Sequence, residues 1–194
     1  MSLSLARCVE AVARLLDACG PLEPVRLCMS EADVQAEVCA RGPAALVSMA
    51  RLAAACGGAA GSQLHRDGGV LTVDLEEQLV LVAAVDAPVR GAVPGERVTS
   101  TTAAAGLLRN LAPWAAALER ERLPGAQLWV EDDGRGFTVR LLVTAATGDD
   151  VEAVAAAAGS GLARVRTRRT DSGLDGQGCL PCGRTVHLGV VPLS

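Results

Sequence analysis

The spacing of apolar residues along the chain predicts four helices. In the first 20 residues, apolar side chains recur every three or four positions while Glu10, Arg14 and Asp17 fall between them, which is the pattern of an amphipathic helix. The third helix contains Pro113, whose ring favours a kink or a division into two helices near Ala112. The predicted helices are 3–19, 43–56, 103–122 and 149–158.

Shorter segments that alternate apolar and polar residues, or that are wholly aliphatic, predict strands. Gly68 and Gly69 separate two of them and are typical of a two-residue hairpin turn. The Gly-rich segment 171–183 is predicted to be a loop between the last two strands. The predicted strands are 25–29, 34–40, 63–67, 70–74, 78–85, 127–131, 137–144, 162–170 and 184–191.

The order of these elements repeats along the chain. Helix, strand, strand, helix and further strands occupy residues 1–86 and occur again at 102–194, with a linker containing Pro and Gly at 87–101. We therefore predict an α+β fold of internally duplicated helix-strand-strand-helix-strand-strand units related by a pseudo-two-fold axis, with antiparallel sheets covered by helices. The sequence leaves open whether the two sheets join edge to edge or pack back to back on the helices.

Composition and charge narrow the possible functions. Half of the 194 residues are hydrophobic, yet the aromatic residues are one Phe and two Trp, so the predicted core consists of Ala, Val and Leu. All 18 basic residues are Arg. The formal net charge of -4 argues against general nucleic-acid binding, because such binding requires a basic surface.

Seven cysteines raise the question of disulfides. Five of them lie in apolar periodic segments, where free cysteine behaves as a small hydrophobic residue. The N-terminal residues lack a secretion signal, and no apolar stretch reaches the length of a membrane span. We therefore predict a cytoplasmic protein with reduced cysteines and no association with membranes.

Three segments of the second half resemble nucleotide-binding motifs. VEDDGRGF at 130–137 resembles the adenine-binding box of the histidine-kinase-type ATPases, the GHKL superfamily. LLRN at 107–110 resembles the helix that carries their magnesium-binding Asn, and GSGLARVR at 159–166 resembles their second glycine box. The residues that the resemblance implicates are Asn110 for Mg²⁺, Asp133, Gly134 and Gly136 for adenine, and Gly159 and Gly161 for the phosphates of ATP.

A second interpretation of the same segment is purely structural. DDGRG is a good hairpin turn, and 138–144 alternates as a strand that returns along 127–131. A nucleotide site of the GHKL kind requires that these two segments do not pair. The pairing of 127–131 therefore distinguishes the two interpretations.

Cys179 and Cys182 form a CxxC motif, and His187 follows five residues later. These three residues supply three of the four ligands that a tetrahedral zinc site needs, so a zinc site requires a further ligand from elsewhere. A thioredoxin-like redox pair would begin a helix after a strand, whereas this motif is predicted to lie in a loop. An inert loop is the alternative.

Alternating arginines mark the predicted strand 162–170. Arg164, Arg166 and Arg168 are expected on one face, with Val165 and Thr167 on the other. Such a row can bind phosphates or an acidic partner, or it can simply be a solvated strand face. No aromatic residues are interleaved with the arginines, so no stacking platform for single-stranded nucleic acid is predicted.

The sequence favours a non-enzymatic protein with no cofactor that binds a protein partner through a sheet face or edge, as an adaptor, chaperone or accessory subunit. The GHKL-like module with ATP and Mg²⁺ is one alternative, and the zinc site is another. In topology alone, the tandem units also resemble sliding clamps, which implies association with DNA. The sequence leaves the oligomeric state open, including a homo-oligomer.

Overall fold

The computed structural model describes most of the chain. The described residues are 4–31, 33–39, 42–57, 62–65, 68–76, 79–85, 100–123, 125–132 and 136–193. The helices are α1 (Leu5–Cys19), α2 (Gly42–Ala55), α3 (Thr101–Arg120) and α4 (Val151–Ala158). The strands are β1 (Val25–Met29), β2 (Asp33–Val38), β3 (Ser62–His65), β4 (Gly68–Glu76), β5 (Leu79–Val85), β6 (Gln127–Asp132), β7 (Phe137–Ala145), β8 (Ala163–Thr170), β9 (Gly173–Cys179) and β10 (Thr185–Pro192).

The strands form one sheet in the order β3-β4-β5-β2-β1-β6-β7-β10-β9-β8. The two halves join edge to edge where β1 pairs with β6, so the alternative of two sheets packed back to back is wrong. Most pairs are antiparallel, as predicted, but β2 pairs with β5 and β7 pairs with β10 in parallel. The α+β class is confirmed.

The two halves share their pairing as well as their element order. Each half has the order α-β-β-α-β-β-β, and the strands follow the same order outward from β1 and from β6. Val34 pairs with Leu81 and Val139 pairs with Val186, a separation of 47 residues in both halves. This arrangement is consistent with a pseudo-two-fold axis between β1 and β6. Internal duplication of one ancestral unit stays a prediction. The predicted linker 87–101 lies outside the described residues except at its end.

Helices cover one face of the sheet. Alternate strand residues such as Leu27, Val139 and Leu188 are buried in the same cluster as the apolar faces of α1, α2 and α3. A smaller cluster joins α4 to Leu174 and Val190. The residues between these positions lie on the opposite face, which no described helix covers.

Helices α1 and α3 pack antiparallel beneath the junction between the halves. The backbone N–H of Ala6, in the first turn of α1, donates to Glu119 Oε1 near the end of α3 at 2.7 Å. At the other end, Arg109 of α3 forms an ion pair with Asp17 of α1. Pro113 lies inside the continuous helix α3, so the predicted division into two helices is wrong.

The predicted loop 171–183 is wrong over most of its length, because 173–179 forms strand β9 between β8 and β10. Its glycines allow close packing. A Cβ on Gly173, whose φ is +144°, would meet the carbonyl oxygen of Val190 at 2.1 Å, and a Cβ on Gly178 would meet Leu162 Cδ1 at 2.9 Å. The glycines that suggested a loop are therefore required for the strand.

The hairpin between β3 and β4 exists, but the two predicted turn glycines do not form its turn. Gly68 and Gly69 pair with His65 and Leu64 inside the ladder. The residues that connect the strands lie outside the described residues.

Candidate binding surface on the uncovered sheet face

The uncovered face is built by strand register. On strands β1, β2 and β6 to β10, alternate side chains point away from the helices, and cross-strand partners share a face. Through these pairings, one row crosses seven strands from the first half into the second. Its members are Gln35, Cys28, Trp129, Arg140, His187, Gln177 and Arg166.

A groove of about 430 Å³ lies on this face, where β1, β6 and β7 adjoin. Its apolar part is formed by Trp129 and Leu142, and Gly189 opposite Leu142 leaves room for that side chain. Trp129 is half-buried, whereas the other tryptophan, Trp114, is only 3% exposed. A large aromatic side chain that remains partly exposed at a groove is a typical anchor for binding. The described residues that line the groove are Arg26, Trp129, Glu131, Thr138, Arg140 and Leu142.

Arg26 holds one wall of the groove in place. Its guanidinium donates to Glu37 Oε2 at 2.8 Å and to Glu131 Oε1 at 2.9 Å, which links β2, β1 and β6. The hydrogen bond to Glu131 is the main reason why the pKa of Arg26 is raised, with a smaller contribution from Glu37. Ion pairs of this kind contribute only about 0.2–1 kcal/mol each, so their main effect is to orient the wall.

On the strands of the second half, the uncovered face carries positive charge. Arg140 at the groove and Arg166 and Arg168 further along the sheet are exposed there, with the exposed His187 between them. Strands β7, β8, β9 and β10 are described throughout, and Asp175 is the one carboxylate that they place on this face. Within the described part of the chain, the three arginines have no hydrogen bond or ion pair, so their charge is available to a partner.

The predicted row of three arginines needs a correction. A β-bulge interrupts the pairing of β8 with β9 between Ala163 and Arg166, and Arg164 within it has φ +55°. The alternation therefore places only Arg166 and Arg168 together, opposite Gln177 and Asp175. Arg169 lies on the helix side, where it donates to Glu152 Oε1 at 2.7 Å.

The GHKL-like residues are distributed over separate elements. Asn110 is an exposed residue in the middle of α3, Gly136 precedes β7, and Gly159 and Gly161 follow α4. Asp133 and Gly134 lie outside the described residues. Strand β7 pairs with β6 along its length, from Asp132 opposite Phe137 to Gln127 opposite Leu142. The requirement that 138–144 stays apart from 127–131 is therefore not met.

The proposed zinc ligands lie around the turn between β9 and β10. Cys179 pairs with Thr185 at the strand ends, Cys182 is exposed in the turn, and His187 pairs with Gln177 further along β10. Among the described residues, no three His, Cys, Asp or Glu side chains are grouped closely enough to hold a metal ion. A zinc site here would therefore need ligands from outside these residues.

The described cysteines are free thiols. Cys19 and Cys28 are buried, and burial raises the pKa of Cys19 to about 12 and that of Cys28 to about 11. Nearby Cys56 adds to the first shift, and Asp33 and Glu37 add to the second. Such thiols are poor nucleophiles at neutral pH.

The sequence reasoning missed Arg26, Glu131, Trp129 and Arg140 as surface residues. The signal for Trp129 and Arg140 was present, because both occupy the polar positions of alternating strands. The contact between Arg26 and Glu131 depends on the pairing of β1 with β6, which local pattern does not reveal.

Comparison with protein-family models, curated proteins and solved structures found no match. Within the described residues, no helix is both long and apolar enough to cross a membrane.

Proposed function

We propose that the chain is a non-enzymatic binding protein, an adaptor or accessory subunit that holds a protein partner on the uncovered face of its sheet. The observation that carries the proposal is the position of Trp129. A half-buried tryptophan lies in a groove, beside Arg140, which has no hydrogen bond or ion pair with a described residue.

The groups that line the groove favour binding over catalysis. Glu131 is engaged by Arg26, and the remaining polar groups are the hydroxyl of Thr138 and the guanidinium of Arg140. No Cys or His belongs to the lining, which is drawn from the described residues. These side chains can bury an apolar group and pair with a carboxylate. The carboxylate opposite the Thr138 hydroxyl, that of Glu131, is already engaged by Arg26, which disfavours a role as a general base.

Site-specific cross-linking in the source cells tests this proposal. A photoreactive amino acid in place of Thr138, in the lining of the groove, is expected to capture a discrete protein, whereas the same group at Arg120, exposed at the end of α3, is not. With the captured protein purified, Trp129→Ala is expected to weaken binding at least thirtyfold, which corresponds to about 2 kcal/mol.

Arg140→Ala provides a second variant at an exposed position, where loss of folding is not expected. Binding that is unchanged in both variants would show that the partner docks elsewhere and would reject the proposal. Circular dichroism of each variant verifies that the fold is kept.

A further inference from the structure

We infer that strand β8 is a docking edge for an acidic β-strand of the partner protein. The inference rests on the proposed function and names the chemistry of the partner. Among the described residues, strand β8 is the last strand of the sheet and has a neighbour only on the β9 side. Seven of its eight residues are exposed, so its outer backbone groups face solvent.

The two edges of the sheet differ in length. Edge strand β3 has four residues, whereas β8 has eight. The bulge ends at Arg166, and from there to Thr170 the pairing with β9 is regular. A segment of five residues can therefore accept a further strand by main-chain hydrogen bonds.

The charge of the arginines on β8 determines which kind of partner strand can pair with it. Arg166 and Arg168 point to the uncovered face from alternate positions and have no ion pair with a described residue. Opposite charges that lie directly across two strands stabilise the pairing, while like charges oppose it. A strand with acidic residues at alternate positions meets both arginines, whereas a second copy of β8 would bring arginine against arginine.

The helix side of the strand adds a second requirement. Within 166–170, the uncharged Thr167 lies on this side, and Arg169 is already paired with Glu152. The residues of the partner strand on this side are therefore expected to be small and uncharged. The sequence pattern that results is an alternation of Glu or Asp with Thr or Val.

The experiment uses a fluorescent nine-residue peptide in which Glu alternates with Thr, and binding to the full chain is followed by anisotropy. Arg166→Glu with Arg168→Glu is expected to weaken binding about tenfold or more, because two favourable pairs become repulsive. The double variant is also expected to bind the matching peptide of Lys and Thr. Arg120→Glu with Arg122→Glu makes the same change in charge at exposed positions away from β8 and is expected to stay within about twofold of the wild type.

An analogue of the Glu peptide with alternate backbone nitrogens methylated keeps the charge but cannot pair as a strand. It is expected to bind at least tenfold more weakly than the parent peptide. Equal binding of the analogue would overturn strand addition, and so would tighter binding of a nine-nucleotide single-stranded DNA that is lost in the Arg166 and Arg168 variant.

Amide shifts in a titration monitored by NMR are expected at 163–170, and shifts confined to other residues would also reject the docking edge. If the peptide fails while Trp129→Ala still weakens the cross-linked partner, the docking edge is wrong and the proposed function stands. If Trp129→Ala and Arg140→Ala leave the partner bound, the proposed function itself fails.

Discussion

The indole N–H of Trp114 donates to the carbonyl oxygen of Ala158 at 3.2 Å, in a buried contact between the middle of α3 and the last residue of α4. This hydrogen bond satisfies a carbonyl at a helix end, where no intrahelical donor is available. It joins two helices that lie on different parts of the sheet.

Trp114→Phe is expected to destabilise the protein by about 1–3 kcal/mol, because it removes the donor and leaves a buried carbonyl without a partner. Chemical denaturation followed by circular dichroism measures the change. Trp129→Phe, at a half-buried position on the uncovered face, provides the control, with an expected change below about 0.5 kcal/mol. Equal effects of the two substitutions would contradict the role of the hydrogen bond.

The contact between Glu119 and Ala6 also leads to a prediction. Glu119→Ala is expected to cost about 0.5–2 kcal/mol, since the first turn of α1 loses a charged acceptor for its N–H group. Glu119→Gln keeps an acceptor and is expected to lose less. Glu121→Ala, at an exposed position after the helix, tests whether the loss of a carboxylate alone has this effect.

Cys28 makes stability depend on pH in the alkaline range. Its pKa in the folded protein is about 11, above the ordinary thiol value of 9.0, so the folded state retains a proton that the unfolded state releases. This contribution is fully present below pH 9 and is lost as the pH rises towards 11, with a slope of up to about 1.4 kcal/mol per pH unit. Denaturation at several pH values should show a shallower decline for Cys28→Ala, and parallel curves would count against this cause.

Gly173→Ala is expected to destabilise by about 2–4 kcal/mol, because a Cβ there clashes with the backbone of Val190 at a positive φ. Gly148→Ala is the matched control, since a Cβ at this exposed glycine meets nothing within 4 Å. If both variants unfold at the same denaturant concentration, the glycines of β9 are not needed for close packing.

Isothermal titration with ATP and Mg²⁺ tests the nucleotide alternative. No binding heat is expected for the wild type, because the strand that should leave the adenine site open instead pairs with β6. Micromolar binding that Asp133→Asn removes would reverse this conclusion and would favour the GHKL-like function.

The elements that the sequence predicted best are those with a strong period. Helix α1 and strand β1 lie within two residues of their predicted bounds, because amphipathic spacing and flanking Gly and Pro act locally. Strand β9 was missed because its glycines are needed for close packing. Gly173 lies against Val190 and Gly178 lies against Leu162, and both of these neighbours are distant in the sequence. Pro113 was overestimated as a helix breaker, since tertiary packing of α3 against α1 outweighs its local preference.

The candidate surface was predictable in part. Alternation in 127–131 and 137–144 places Trp129 and Arg140 on polar strand faces, and the Arg166 and Arg168 pair follows from the same rule. Alternation does not predict which strands are neighbours in the sheet, because the order of strands is set by long-range pairing. The bulge at Arg164 is also a feature of the pairing, and simple alternation fails there.

The junction of β1 with β6 has a consequence for synthesis on the ribosome. Helix α1 packs mainly against α3, and one edge of β1 pairs with β6. Both partners lie about a hundred residues later in the chain. Until residues 101–132 emerge from the exit tunnel, the nascent first half carries an exposed apolar helix face and an open strand edge, both of which favour aggregation. Completion of the fold therefore awaits the second half, and the newly made chain is most vulnerable in that interval.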